Sequence, residues 1–504
     1  MSFNVTIQSS RRKTVTSAED GEQILELLKR EGFYVPAACG GRGACGKCTV
    51  TVITASKKRR TLACMSKITE DCCIITDELS GGAILTDIMN IFRRPKSKKN
   101  LAAAIDLGTT TVVAVLVDLS DGSVLGIASD WNAQAAYGAD VISRAQFCGE
   151  HPDGLKTMKT VIRNQTDELL ARLGTKKEEL KKIFIAGNTI MQHIYAGLDP
   201  LPIARAPFTP QAYFTGDEPK EDGIAYAPCV AGYVGGDITA GLMASGLFER
   251  EEKSLYLDIG TNGEMALGGA EGFLCCAVAS GPAFEGAGIS CGMPAVDGAV
   301  CHVTWDGKCF VYDVIGEVRA RGICGSGLID LLGVLCELKI VSGAGRLLGP
   351  DDVPAEYRKY LSADENGNGV FYLTDDKSVF LTAHDVRQLQ LAKAAVAAGI
   401  QVLLKKSGED ISEIDRLYLS GGFGNYMDPE SAAKIGMIPR ELTGHISLLG
   451  NASLSGARMA LTVSGAGEKL RKLRDACRYI ELSGDADFNE EFTEQMFFYE
   501  EDDD

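Results

Sequence analysis

Four cysteines in the first 64 residues have a spacing that could hold a metal cluster. Cys39, Cys45 and Cys48 form a C-x5-C-x2-C pattern within the glycine-rich run CGGRGACGKC, and Cys64 follows sixteen residues later. Four thiolates that converge on one small core can hold two iron and two sulfide ions. A loop poor in side chains also lets backbone N–H groups approach the sulfurs. The pattern therefore predicts a 2Fe-2S cluster.

The same segment contains two partial nucleotide-binding patterns. Gly41, Gly43 and Gly46 have the spacing of a dinucleotide fingerprint, and Gly46-Lys47 completes most of a P-loop. No apolar strand leads into the run, no helix opens after it, and Cys48 stands where a P-loop has Ser or Thr. Zinc is the chemical alternative, but structural zinc ligands usually come in closer cysteine pairs. We therefore favour iron–sulfur chemistry.

The elements around these cysteines are predicted from alternation and helical spacing. The predicted elements are strands at Phe3–Gln8 and Lys13–Thr16, a helix at Gly21–Arg30, and further strands at Lys47–Ile53 and Cys73–Thr76. This order resembles the β-grasp ferredoxins, and the five-residue cysteine gap is similar to their adrenodoxin-type members. The resemblance implies four cluster ligands: Cys39, Cys45, Cys48 and Cys64. Cys72 or Cys73 is the alternative fourth ligand. We expect this domain to cover residues 1–92, followed by a charged linker at 93–100.

Two later turns share a pattern suited to phosphate binding. An apolar strand ends at Asp106, followed by Gly108, Thr109 and Thr110, and a second ends at Asp258, followed by Gly260, Thr261, Asn262 and Glu264. Small residues let backbone N–H groups approach phosphate oxygens, while a carboxylate can hold Mg²⁺ through water or position an attacking water. The candidates for the catalytic carboxylate are Asp106, Asp258 and Glu264, and the sequence leaves the choice open.

A third glycine-rich turn follows a buried strand late in the chain. It contains Gly421, Gly422 and Gly424. With the two earlier turns, it makes residues 101–465 resemble the actin, sugar-kinase and heat-shock-chaperone (ASKHA) superfamily. The resemblance implies an α/β ATPase with two lobes at 101–504, the second starting near 254, in which this turn contacts adenosine. Asp237 is predicted to be either a water-mediated magnesium contact or a helix N-cap.

Several other motifs are distinctive but have no single predicted role. Three runs of small residues precede apolar stretches, at 279–287, 321–330 and 450–457, and could either approach a ligand or allow close helix packing. The segment from Asn132 to Arg144 mixes polar and small residues without indicating a function. Leu389–Lys405 has the spacing of a long core-facing helix.

Composition excludes some classes of partner. The 504 residues carry a net charge of −17, with a pI near 4.9, which argues against nucleic acid as the main partner. No apolar run approaches eighteen residues and no signal peptide is recognisable, so we expect no membrane association and a cytoplasmic location. Sixteen cysteines in such a chain suit a reducing interior.

The combination of both halves is similar to the reductive activators of corrinoid proteins. This resemblance covers nearly the whole chain and implies an enzyme that uses ATP, Mg²⁺ and a 2Fe-2S cluster. Its expected activity is one-electron reduction of inactive Co(II) to Co(I) in the corrinoid protein of a methyltransferase system. The expected partners are that corrinoid protein, a low-potential electron donor of the ferredoxin or flavodoxin type, and a second copy of the chain in a homodimer.

Three alternatives remain at this point. The first is an ATP-driven electron donor to another low-potential metalloenzyme, of the dehydratase-activator type, although those place their cluster within the ATPase. The second is a small-molecule kinase with a regulatory cluster, and the third is a plain electron carrier. Longer members of the activator family insert a small domain where only about eight residues intervene here, which restricts how far a cluster domain can move.

Overall fold

The computed structural model describes residues 2–9, 13–33, 35, 41, 43, 48–76, 100–218, 221, 223–365, 367–424 and 426–498. The described residues divide into two compact units, one ending at Tyr226 and the other beginning at Ala227. No helix within those ranges is long and apolar enough to cross a membrane. The predicted linker at 93–100 lies, except for Asn100, outside the described residues.

The first unit begins with a five-stranded sheet in the order β2-β1-β5-β3-β4. Its elements are β1 (Ser2–Gln8), β2 (Lys13–Glu19), α1 (Ile24–Arg30), β3 (Thr49–Thr54), β4 (Lys58–Leu62) and β5 (Cys72–Ile75). β1 and β5 are parallel, and the other neighbouring strands are antiparallel. The apolar face of α1, Ile24, Leu25, Leu27 and Leu28, is buried in the core. The predicted β-grasp ferredoxin fold is confirmed.

The rest of the first unit is a second five-stranded sheet in the order β10-β9-β6-β7-β8. Its elements are β6 (Leu101–Leu107), β7 (Thr111–Asp118), β8 (Ser123–Trp131), α2 (Val141–Glu150), α3 (Gly154–Arg172), β9 (Lys182–Gly187), α4 (Thr189–Ala196) and β10 (Ile224–Tyr226). Strands β6 and β7 form a hairpin, and β9 runs parallel to β6 with Gly187 opposite Leu107. The end of β9 therefore lies beside the β6–β7 turn.

The second unit is built on a six-stranded sheet in the order β21-β20-β11-β12-β13-β22. The strands of this unit are β11 (Ser254–Ile259), β12 (Gly263–Gly269), β13 (Gly272–Val278), β14 (Ala299–Trp305), β15 (Phe310–Val314), β16 (Gly322–Ile323), β17 (Leu361–Ala363), β18 (Gly369–Tyr372), β19 (Phe380–Thr382), β20 (Arg416–Ser420), β21 (Ile446–Leu448) and β22 (Cys477–Tyr479). Strands β14–β16 and β17–β19 form two smaller sheets. As in the first unit, a hairpin (β11–β12) has a parallel neighbour, β20.

Helices pack against this sheet, and buried residues of both helices and strands form the hydrophobic core. They are α5 (Gly236–Ser245), α6 (Gly325–Glu337), α7 (Ala383–Ser407), α8 (Gly421–Gly424), α9 (Pro429–Lys434), α10 (Ala452–Thr462), α11 (Ala466–Asp475) and α12 (Ala486–Glu494). α7 contains the predicted helix at Leu389–Lys405, and a capping box between Thr382 and Asp385 fixes its start. The predicted second lobe starts near β11, whereas the compact unit starts earlier and includes α5, which packs against α10.

Candidate cluster and nucleotide sites

Two of the predicted cluster ligands lie side by side. Cys48 immediately precedes β3 and Cys64 lies in the turn after β4, and both are buried. Their sulfurs are 3.2 Å apart, and the Ala63 amide donates to the Cys48 carbonyl at 2.7 Å. Two thiolates bound to one tetrahedral ion at about 2.3 Å would lie roughly 3.7 Å apart, so the pair is positioned to share an ion. Cys39 and Cys45 lie outside the described residues.

Gly41 and Gly43 are the two described residues of the cysteine loop between Cys39 and Cys48, and a side chain at either position would meet its neighbours closely. Gly41 has φ +85°, and an added Cβ there would lie 3.3 Å from Leu25 Cδ2 and 3.9 Å from Cys64 Cβ. Gly43 has φ +77°, and its Cβ would lie 2.7 Å from Met65 Sδ. These contacts and conformations explain why glycine occupies both positions. At these two positions, backbone without a side chain therefore lies against the Cys64 turn, as a cluster site requires.

The alternative fourth ligand lies in a different environment. Cys72 is half-buried in β5, and burial is the main reason that its pKa is raised. Cys73, Glu70 and Asp71 raise the pKa of this thiol further, and the positive charge of Arg59 partly opposes them. Cys64, in contrast, contacts Cys48, so the geometry favours Cys64. With two of the four predicted ligands outside the described ranges, no group of three or more metal-binding side chains occurs within them.

The first predicted phosphate turn, Gly108–Thr110, joins β6 to β7 and is held from outside by three polar side chains. Asn132 Nδ2 donates to the Gly108 carbonyl at 2.8 Å, and the Asn132 amide donates to Thr110 O at 2.8 Å. Arg144 Nη2 donates to Thr109 O at 2.7 Å, and Asn188 Nδ2 donates to Thr109 Oγ1 at 3.2 Å. Side chains from outside the turn therefore hold its backbone carbonyls and the Thr109 hydroxyl.

This arrangement gives the Asn132–Arg144 segment the role that its sequence did not indicate. Arg144 is fully buried, and its Nε also donates to Gly138 O at 3.0 Å. Asn188 follows β9 and caps α4, accepting from the Met191 amide at 3.0 Å. The sequence offered only the residue types, one arginine and two asparagines, and no local pattern joined them to the turn. Asp106 itself is half-buried near the end of β6.

The second predicted phosphate turn, Gly260–Asn262, is held in a similar way. Ser280 Oγ is within hydrogen-bonding distance of the Gly260 carbonyl at 3.3 Å and the Thr261 carbonyl at 3.2 Å. Thr261 Oγ1 donates to Glu285 Oε1 at 3.0 Å. Ser280 and Glu285 belong to the small-residue run at 279–287. The run therefore holds the predicted phosphate turn, and its direct approach to a ligand stays a prediction.

Three carboxylates of the second unit lie close enough to influence one another. Asp258 and Glu264 are opposite each other in the β11–β12 pair. Burial raises the pKa of Glu264 well above its usual value, and the negative charges of Asp237 and Asp258 raise it further. Ser420 Oγ donates to Asp258 Oδ2 at 2.9 Å. The chain therefore gathers negative charge beside the second turn, which favours a bound cation.

The N-cap interpretation of Asp237 is wrong. The N-cap of α5 is Gly235, and Asp237 is the second residue of the helix. Its Oδ1 accepts from the Ile238 amide at 2.9 Å. A capping carboxylate precedes the helix and accepts from an amide two or three residues later, which Asp237 does not do. Its electrostatic effect on Glu264 leaves the magnesium interpretation as the remaining one.

The third glycine turn begins against Asp258. Gly421 has φ +91°, and an added Cβ would lie 2.6 Å from Asp258 Oδ1 and 2.9 Å from the Ile259 carbonyl oxygen. Its amide donates to Gly450 O at 3.2 Å. Gly422 is exposed, and Gly424 ends α8. The end of β20 therefore places a glycine against Asp258, near the C-terminal end of β11.

The two remaining small-residue runs pack helices closely. An added Cβ at Gly327 would lie 2.5 Å from the Val300 carbonyl oxygen, and Cys324 Sγ lies 3.3 Å from the same oxygen. An added Cβ at Gly456 of α10 would lie within 2.0 Å of the Ala240 carbonyl oxygen in α5. These contacts support the packing interpretation for the runs at 321–330 and 450–457.

Family models match nearly all of the chain. The C-terminal domain of RACo, the ASKHA domain, matches residues 252–504, and the RACo middle region matches residues 101–250. A 2Fe-2S iron-sulfur cluster binding domain matches residues 6–69. The first match alone spans half of the sequence.

Individual relatives agree with these models. A protein of Eubacterium limosum named corrinoid activation enzyme RamQ is 31% identical over 428 residues, which cover 80% of this chain and 71% of the relative. A [Co(II) methylated amine-specific corrinoid protein] reductase of Methanosarcina barkeri is 28% identical over 257 residues, covering 47% of this chain and 44% of the relative. The solved structure of a reductive activator for corrinoid, iron-sulfur protein superposes with a TM-score of 0.70 and 29% identity, covering 98% of both chains.

Proposed function

The chain belongs to the RACo family, and we propose that it reductively activates a corrinoid protein at the expense of ATP. The client's inactive Co(II) would accept one electron and become Co(I), which serves a corrinoid methyltransferase system. The observation that carries this proposal is the combination, in one chain, of the Cys48–Cys64 pair and two candidate phosphate turns that are held by hydrogen bonds from other elements. The names of the relatives supply the client's chemistry.

Four cysteines would hold the cluster: Cys39, Cys45, Cys48 and Cys64. When bound, a 2Fe-2S cluster supplies one-electron storage at low potential. Gln23 Nε2 donates to the Cys64 carbonyl and so fixes the backbone of that ligand. Gly41 and Gly43 keep side chains away from the Cys64 turn, which leaves backbone N–H groups free to face sulfur.

Each unit has glycine-containing turns suited to a nucleotide. In the first unit, Gly108–Thr110 would present backbone amides and hydroxyls to phosphate oxygens. In the second unit, Gly260–Asn262 would do the same, and the family resemblance implies an adenosine contact for Gly421, Gly422 and Gly424. Mg²⁺ would be held through water near Asp258 and Asp237. The charge of the bound cation would offset their mutual repulsion.

Among the three candidate catalytic carboxylates, Asp258 is best placed to orient water. It is half-buried, and Ser420 fixes one of its oxygens, which leaves the other beside the Gly421 turn. Glu264 is only 9% exposed, and burial together with the charges of Asp237 and Asp258 raises its pKa, which disfavours the charged form that would orient water. Asp106 would play the equivalent supporting role at the first turn. We therefore propose Asp258 as the catalytic carboxylate.

ATP use follows from the direction of electron flow. Plant-type ferredoxin clusters have potentials near about −400 mV, and we expect the Co(II)/Co(I) couple to be lower still. Moving one electron about 59 mV uphill costs a factor of ten in the equilibrium constant, or about 1.4 kcal/mol. Nucleotide-dependent docking of the client can supply that free energy, because binding energy can be coupled to a change in the cobalt environment.

Further features of the proposal rest on the family resemblance alone. The electron donor would be a low-potential protein of the ferredoxin or flavodoxin type. The active species would be a homodimer in the cytoplasm. Analytical ultracentrifugation of the anaerobically purified protein would test the dimer, since a monomer at working concentration would exclude it.

The decisive experiment is an anaerobic visible spectrum of a Co(II) corrinoid protein mixed with this protein and a low-potential reductant. We expect Co(I) to appear only when Mg-ATP is added. Asp258→Asn should abolish the ATP-dependent part, while Asp351→Asn, at an exposed position, should leave it unchanged. Cobalt reduction at the same rate without ATP would contradict the proposal. ATP hydrolysis without cobalt reduction would point to a different electron acceptor.

A further inference from the structure

Helix α1 of the ferredoxin fold contacts the part of the first unit that positions the first phosphate turn. Lys29 Nζ lies 4.8 Å from the centroid of the Tyr137 ring. The same ammonium group pairs with Glu26 at 3.0 Å, yet only 12% of the Lys29 side chain is exposed. A shielded cation over an aromatic face is a specific contact whose strength increases with desolvation.

On one side, α1 is joined to the cysteine loop. Leu25 on this helix is the residue that an added Cβ at Gly41 would approach to 3.3 Å. Gln23, which precedes the helix, donates to the Cys64 carbonyl, and the Ile24 amide donates to Ser66 O at 2.9 Å. A movement of Gly41 or of the Cys64 turn would therefore displace residues of α1 that contact them.

On the other side, Tyr137 lies between the two groups that hold the first phosphate turn. Asn132, five positions earlier, binds Gly108 O. The next residue, Gly138, accepts from Arg144 Nε at 3.0 Å, and the same guanidinium holds Thr109 O at 2.7 Å. The Tyr137 ring also packs edge-on against Phe147 of α2, with ring centroids 5.1 Å apart. Its position thus depends on the geometry of the turn.

We propose that the Lys29–Tyr137 contact couples nucleotide binding at the Gly108–Thr110 turn to the redox potential of the cysteine site. This inference rests on the proposed function for the identity of both ligands. An electron added at the cysteine site attracts the Lys29 ammonium group and competes with the Tyr137 ring for it. A nucleotide that orders the turn holds Tyr137, and through it Lys29, in place. Bound nucleotide therefore lowers the midpoint potential and makes the stored electron more reducing.

Thermodynamic linkage fixes the size of the reciprocal effect. If the oxidised protein binds nucleotide about threefold more tightly than the reduced protein, the midpoint potential falls by about 28 mV at 59 mV per tenfold. Threefold is the scale expected of one partly shielded cation–π contact. Lys29 and Tyr137 are positioning residues in this scheme, since neither is placed in contact with the reacting groups.

The test is a redox titration of the cluster-loaded protein, followed by visible absorption, with and without saturating Mg-AMPPNP. The dissociation constant of the same nucleotide is measured by calorimetry in both redox states. Wild type should show the negative shift and the matching threefold ratio. Tyr137→Leu and Lys29→Met should lose both, whereas Lys29→Arg, which keeps the cation, should retain them.

Lys13→Met is the control for loss of charge, because Lys13 is an exposed lysine at the start of β2 in the same ferredoxin fold. It should alter the absolute potential slightly but keep the nucleotide-dependent shift. An equal shift in wild type, Tyr137→Leu and Lys29→Met would overturn the coupling, as would the absence of any shift in wild type. Should Tyr137→Leu fail to fold, Lys29→Met decides the question alone. The cobalt assay is separate, so a protein that shows the coupling without reducing cobalt would defeat only the proposed function.

Discussion

Replacing Gly421 by alanine should impair ATP hydrolysis far more than the same replacement at Gly408. Both glycines have a positive φ, +91° and +75°, so both variants place an alanine in the left-handed region. Gly408, the C-cap of α7, has nothing within 4 Å of an added Cβ. At Gly421 the Cβ meets Asp258 Oδ1 at 2.6 Å and the Ile259 carbonyl oxygen at 2.9 Å.

The two variants separate backbone strain from contact. A left-handed non-glycine residue costs about 1–2 kcal/mol, and this cost should be common to both. Alanine also restricts the unfolded chain at both sites, so that effect cancels in the comparison. Gly421→Ala adds an overpacking cost of about 1–3 kcal/mol, because Ser420 restrains Asp258 from moving aside. We expect this extra free-energy cost to appear as a displacement of Asp258 and therefore as a loss of ATP hydrolysis.

The assay is ATP hydrolysis at saturating Mg-ATP, together with the nucleotide dissociation constant. If the overpacking energy falls on Asp258, Gly421→Ala should lose about 5- to 150-fold in activity, at roughly 1.4 kcal/mol per tenfold. Gly408→Ala should retain wild-type hydrolysis and show only a lower melting temperature. Equal activity in the two variants would refute the placement of Gly421 against a catalytically important Asp258.

Three further predictions concern the residues around the two sites. Arg144→Met should weaken nucleotide binding, because it removes the donors that hold the Thr109 carbonyl of the turn and the Gly138 carbonyl beside it. It should also lower the free energy of unfolding by about 1–3 kcal/mol for each carbonyl left unpaired, whereas Arg172→Met at the surface should not change the calorimetric dissociation constant. Glu264→Gln should reduce the fall in melting temperature between about pH 5 and pH 8 in magnesium-free buffer. The raised pKa of Glu264 means that the folded chain keeps a proton that the unfolded chain releases above its ordinary pKa of 4.5, so stability falls as pH rises; an unchanged pH profile would contradict this. Cys64→Ser should remove the visible absorption of the reconstituted cluster, while Cys72→Ser should retain it; the reverse result would make Cys72 the ligand.

The sequence predicted those features that a short stretch of chain specifies. Cysteine spacing, glycine turns and carboxylates at strand ends are local patterns, and Cys64, Gly108 and Gly260 lie where such patterns place them. β4 was not predicted, because Lys58-Arg-Arg-Thr is an exposed, charged edge strand without hydrophobic alternation.

The groups that hold the turns could not be predicted from local patterns. Asn132 and Arg144 bind carbonyls 24 and 35 residues earlier in the chain, and Glu285 binds a hydroxyl 24 residues earlier. Such partners become neighbours only after the sheets form. The position of Asp237 within α5 likewise depends on where the helix begins, since glycines at 235 and 236 allow more than one start.

The 3.2 Å separation of the Cys48 and Cys64 sulfurs has a consequence for handling the protein before any iron is bound. Two thiols in contact need only lose two electrons and two protons to an oxidant to become a disulfide. Exposure to air would therefore convert Cys48 and Cys64 into a disulfide, and neither sulfur could then bind iron. Successful maturation would then depend on the order of events: thiol reductant first, iron and sulfide second, and oxygen at no stage.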